Sequence, residues 1–159
     1  MGVDSIRIGL ESPLTADLAL LFARHERDMH ADTPPESIHM LPRAALSAPT
    51  FAFFVMREAG QAVAMGAIKR LGGMVPPEGE IKSMHVLDEA RGRGLSRQLL
   101  DWLITYARNA GMVRLNLETG IQPTFAPARA LYARAGFTEC PPFQGYVDDP
   151  NSVFLTLPL

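Results

Sequence analysis

Apolar residues alternate at Ile6, Ile8 and Leu10, which predicts a short strand over Ser5–Leu10. Leu14, Leu18, Leu21, Phe22, His25 and Met29 then recur at helical spacing and predict a helix with one buried face, running to about His30. Its start falls at Ser12-Pro13, a capping serine followed by a proline whose missing N–H costs nothing in a first turn. Pro34, Pro35 and Pro42 forbid a long helix in the next segment and leave room for a single turn around Glu36–Leu41. Two β-favouring runs, Phe51–Glu58 and Ala62–Leu71, flank Ala59-Gly60-Gln61 and predict a hairpin.

A Gly- and Pro-rich connection leads to a third strand, Glu80–Val86, whose apolar positions are Ile81, Met84 and Val86. A step of three followed by a step of two breaks the alternation, which predicts a β-bulge near Lys82-Ser83 and backbone groups turned away from the ladder. After the turn RGRGLS, a helical stripe of Leu95, Leu99, Trp102, Leu103, Tyr106 and Ala110 ends at Gly111. Val113–Thr119 follows as a strand parallel to Glu80–Val86, then a helix over Thr124–Ala135, then late strands at Phe137–Cys140 and Val153–Leu157. This order predicts one domain built on a mixed sheet with helices on both faces.

The turn Arg91-Gly92-Arg93-Gly94-Leu95-Ser96 is where chemistry enters the pattern. The first turn of a helix leaves backbone N–H groups without intrahelical partners, and the peptide dipoles place about half a positive charge there. Gly92 and Gly94 let a ligand approach that backbone closely, while Arg91 and Arg93 add charge, so the turn predicts a cradle for a pyrophosphate.

Composition narrows the partners. The chain has 159 residues, 47% hydrophobic and 20% charged, with a net charge of -2, which fits a soluble globular domain and offers no footprint for nucleic acid or an anionic membrane. A single cysteine, Cys140, excludes an intramolecular disulfide and suits a reducing cytosol, and no apolar run approaches a membrane span. The start MGVDSIRIGL lacks the pattern of a signal peptide, and Ile6 stands where N-myristoylation after Met1-Gly2 requires Ser or Thr. A cytoplasmic protein is expected. The four histidines show no helical metal-binding spacing, so no metal is expected.

Together, RGRGLS, the later run Ala130-Leu131-Tyr132-Ala133-Arg134-Ala135-Gly136-Phe137 and the order of elements resemble the GCN5-related N-acetyltransferase (GNAT) superfamily, with Ser96 in place of the usual Gly or Ala. The wider pattern is most similar to small bacterial acetyltransferases of that superfamily. The resemblance implies a single-domain α/β fold over 1–159 with a central mixed sheet of about six to seven strands and about four helices. It implies acetyl-CoA as co-substrate, a primary amine as acceptor, more readily of a small molecule than of a protein, and a homodimer as the common assembly.

Under that resemblance the diphosphate falls to the backbone of Arg91, Gly92, Arg93, Gly94, Leu95 and Ser96. The pantetheine arm pairs with Met84, His85 and Val86 between strands that splay apart, and a freed N–H near Met84 stabilises the developing oxyanion. Glu80 and Glu118 are the two candidates for the base that takes the acceptor's proton, each with a solvated surface carboxylate as its alternative. Tyr132 is placed to contact the cofactor and to protonate the departing thiolate, which completes direct attack in a ternary complex. Cys140 lies outside the motifs, so no acetyl-enzyme is expected, while Glu36, His39 and Tyr146 are candidates for the acceptor pocket. Two rivals remain: a non-catalytic acyl-CoA-binding module, and a dinucleotide-binding oxidoreductase, which the missing G-x-G-x-x-G spacing disfavours.

Overall fold

The structure, a computed structural model, describes residues 5–159, so the Met1-Gly2 start discussed above lies outside the described residues. Seven strands form one sheet: β1 (Ile6–Leu10), β2 (Phe51–Glu58), β3 (Gln61–Arg70), β4 (Gly79–Val86), β5 (Arg114–Gly120), β6 (Thr138–Glu139) and β7 (Ser152–Pro158). Their spatial order is β1-β2-β3-β4-β5-β7-β6, antiparallel throughout except for the β4–β5 pair, which is parallel. Three α-helices accompany the sheet among the described residues: α1 (Ala19–Asp32), α2 (Leu95–Asn109) and α3 (Ala126–Arg134). The fold is thus the expected mixed α/β domain, with three α-helices where about four were expected.

The missing helix is the Pro-rich segment. Pro35–Ser37 and Arg43–Ser47 form only short 3-10 turns, since each proline lacks the N–H that a continuing helix needs. The start of α1 also differs from expectation. Ser12 accepts the N–H of Leu14 on its hydroxyl (3.1 Å) and that of Thr15 on its carbonyl (3.1 Å), closing one tight turn. Thr15 then accepts from Leu18 (3.1 Å), so the chain makes a second turn before α1 begins at Ala19. Leu14, left outside the helix, is 55% exposed.

On α2 the buried face is Leu95, Leu99, Leu100, Leu103, Ile104 and Ala107. Trp102, expected within the stripe, sits at its edge. Its ring meets that of Phe54 edge-on at 6.5 Å and stays 40% exposed. Both faces of the central strands β2 and β3 are buried, with Phe54, Met56, Met65 and Ile68 within the core.

Two irregularities of β4 shape the site. Met65 pairs with His85 and Ala67 with Lys82, so β4 sets Ser83 and Met84 against the single residue Gly66. This is the expected bulge, and Ser83 takes a left-handed φ of 56° to make it. Secondly, β4 and β5 pair only at Gly79–Leu115 and Glu80–Asn116. Beyond Glu80 no ladder pairing between them is found among the described residues, and the strands diverge.

Candidate active site

The gap between β4 and β5 opens into a cavity of about 650 Å³ whose walls include Glu80 to Val86, Leu117 to Gly120, the N-terminus of α2 and one side of α3. Gly92 and Gly94 line it, both with φ of 77°, a conformation that a side chain would strain. A Cβ added at either would meet nothing within 4 Å, so the turn is open above its backbone. Ser96 lines the cavity as well, whereas the Leu95 side chain is buried in the core. What Leu95 offers a ligand is its backbone.

The two arginines of the turn differ. Arg91 reaches the cavity, but it donates to the Val86 carbonyl through Nε (3.0 Å) and pairs with Asp28 (3.1 Å) and Asp88 (3.0 Å). Arg93 is not among the cavity walls; its guanidinium pairs with Glu58 at the end of β2. Cations at the cavity that the sequence reading passed over are Arg97, in the first turn of α2, and Arg134, within the ALYARAGF run.

Deeper in, Tyr132 is 7% exposed and its phenol oxygen lies 3.7 Å from the Met84 sulfur. Burial pushes its phenol up to about 12, so it keeps its proton at neutral pH. On the other side of β4, the His85 ring lies 5.4 Å from that of His25 on α1. Burial pushes both imidazoles down to about 4, and they are neutral. His85 and Val86 border the cavity, though Arg91 already occupies the Val86 carbonyl.

At the far end, Glu80 is only 3% exposed. Its Oε2 accepts the Tyr146 hydroxyl at 2.7 Å and lies 3.3 Å from Lys82 Nζ. Glu118 lines the same space, accepting the Ser152 hydroxyl at 2.7 Å, and burial pushes its carboxyl up. Neither is a solvated surface carboxylate. His39 packs edge-on against Tyr146 at 5.1 Å, and both line the cavity. Glu36 is not brought there. The 3-10 turn buries Ser37 instead and leaves Glu36 beside a separate cavity of about 250 Å³ that it shares with His39, Asp148 and Asp149. The broken alternation marks Lys82 only as the place of the bulge; its part in the site depends on Tyr146, 64 residues away in sequence.

These features set an open glycine turn at a helix N-terminus, an unpaired strand edge and two carboxylates around one cavity. Comparison with known proteins supplies the family: the sequence profile described as Acetyltransferase (GNAT) family matches residues 17–137. The chain belongs to the GNAT acetyltransferase family. It is 40% identical over 136 residues to the uncharacterized N-acetyltransferase YsnE of Bacillus subtilis, a match covering 86% of this chain and 88% of that protein. It is 38% identical over 157 residues to a protein of Azospirillum brasilense named IAA acetyltransferase, covering 98% and 99%. A crystal structure from Klebsiella pneumoniae, provisionally described as an acyl-CoA N-acyltransferase, superposes with a TM-score of 0.78 at 30% identity, covering 98% and 99%. This GNAT protein is therefore an N-acetyltransferase, and its family uses acetyl-CoA. The oxidoreductase alternative is set aside. Among the described residues no helix is long and apolar enough to cross a membrane.

Proposed function

We propose that the protein transfers an acetyl group from acetyl-CoA to the primary amine of a small molecule, the amine attacking directly while both substrates are bound. The observation that carries this reading is that the open cradle, the Met84–Tyr132 contact and buried Glu80 share one cavity. Acetyl-CoA supplies the acetyl group as an activated thioester. The N–H groups opening α2 hold the diphosphate, helped by the open space above Gly92 and Gly94. The unpaired edge of β4 beyond Glu80 receives the pantetheine amides. A backbone N–H at the Ser83–Met84 bulge donates where negative charge develops on the carbonyl oxygen.

An ordinary alkylamine titrates at about 10.4, so at pH 7 only about one molecule in 2,500 is nucleophilic. Glu80 removes that proton. Glu118 lines the acceptor's end of the same cavity, where its carboxylate accepts the Ser152 hydroxyl. Tyr132, kept protonated by burial, gives its proton to the leaving sulfur. The name of the Azospirillum relative supports a small-molecule acceptor.

Thiol release from acetyl-CoA, followed across a panel of small primary amines, tests the reading. Wild type should respond to at least one amine, and Glu80→Gln should lower kcat/KM by about 100-fold or more. Amine-independent release, or an unaffected Glu80→Gln enzyme, would contradict it.

A further inference from the structure

Tyr146 belongs to no family motif, yet its hydroxyl lies between the two charged side chains of β4. Lys82 Nζ is 2.7 Å from the phenol oxygen, and the phenol oxygen is 2.7 Å from Glu80 Oε2. The direction of these bonds follows from chemistry. An ammonium has donors and no lone pair, so Lys82 donates to Tyr146. A phenol has a single proton, which must then point at Glu80. Burial, followed by the Glu80 carboxylate itself, pushes the Tyr146 phenol up, so that proton is retained.

The strand makes this possible. Glu80 and Lys82 are two residues apart before the bulge and therefore share one face of β4. The Tyr146 ring is fixed from outside by Phe143 at 5.2 Å, Phe154 at 5.4 Å and His39 at 5.1 Å. One Glu80 oxygen is thus capped, and Oε1 is the oxygen left to meet an incoming N–H. The other titratable neighbours are Glu118 on β5, whose donor is Ser152, and His39 in the Pro-rich segment.

We propose that Lys82 and Tyr146 are positioning residues which, through the shared phenol hydroxyl, make Glu80 a base with one working oxygen and so set the side from which the amine approaches. The inference rests on Glu80 serving as the base. It goes beyond that reading by assigning Lys82 a role and by giving Tyr146 a function other than pocket lining.

The test compares Lys82→Met, Tyr146→Phe, the double variant and Lys82→Arg with wild type. Acetyl-CoA and n-butylamine serve as substrates, and CoA affinity measured by calorimetry is the check on folding. Hydrogen bonds to charged groups are worth about 1.5–3 kcal/mol, so each single variant should lose roughly 10- to 100-fold in kcat with CoA affinity within about twofold. The double variant should lose less than the product of the singles, and Lys82→Arg should recover much of the activity. Independently of turnover, the ¹⁵N-ammonium signal of Lys82 should be protected in wild type, absent in Lys82→Met, and at least about tenfold faster exchanging in Tyr146→Phe.

Single variants with wild-type kcat, multiplicative losses or an unprotected Lys82 ammonium would overturn the proposal. Glu80→Gln separates the two levels. Full activity in that variant removes the base itself, whereas an inactive Glu80→Gln beside wild-type Lys82→Met and Tyr146→Phe removes only the positioning role.

Discussion

The phenol oxygen of Tyr132 on α3 meets the sulfur of Met84 at the bulge of β4, 3.7 Å across the gap that divides the sheet. A buried, protonated hydroxyl already directed at a sulfur is arranged to donate to a thiolate leaving from the same gap. Tyr132→Phe should lower kcat by about 10- to 100-fold while CoA affinity by calorimetry stays within about twofold. A proportional loss of CoA binding would show that the hydroxyl serves to hold the cofactor and does not act on the leaving thiolate.

The cradle predicts opposite signs for binding and stability. Ser96 lies in the first turn of α2, where a carboxylate is favoured by the helix dipole by roughly 0.3–1 kcal/mol. The same charge would repel a diphosphate. Ser96→Asp should leave the melting temperature unchanged or raised, yet weaken CoA by about tenfold or more, and paired melts and calorimetry check both.

His25 and His85 make stability acid-sensitive. Both imidazoles are pushed by burial from 6.5 in the unfolded chain to about 4 in the fold. Between these values the unfolded chain binds more protons, so stability rises with pH through the window and is lost as pH falls from 6.5 towards 4. Melting temperatures should drop across that range, and a His25→Gln/His85→Gln protein should show a flatter profile.

Glu118 works in the other direction. Its carboxyl is pushed up by burial, so the folded chain holds the proton more tightly than the unfolded one, whose value is 4.5. The stability this confers is present below 4.5 and lost as pH rises through the raised folded value. Glu118→Gln can still accept from Ser152, and it should melt higher than wild type at neutral pH with a margin that shrinks in acid.

Strand and cradle were legible because each rests on short-range rules. The bulge announced itself as a broken alternation at Ile81, Met84 and Val86, and the turn as glycines before an apolar helical stripe. The α1 start was misjudged because Ser12 caps one isolated turn as readily as a helix, and Trp102 was misplaced because an apolar ring can sit at the rim of a face. Two partners of the cradle's arginines were hidden, Asp28 of Arg91 and Glu58 of Arg93, since they lie far away in sequence and meet them only through the packing of α1 and β2. The Lys82–Tyr146–Glu80 chain was hidden for the same reason. Tyr146 reaches β4 only when the loop before β7 folds back over the cavity.

Initial velocities, measured while acetyl-CoA and the amine are varied against each other, address the central claim most directly. Direct attack with both substrates bound predicts reciprocal plots that intersect. Parallel lines, the pattern of an acetyl group first passed to the protein, would contradict the account.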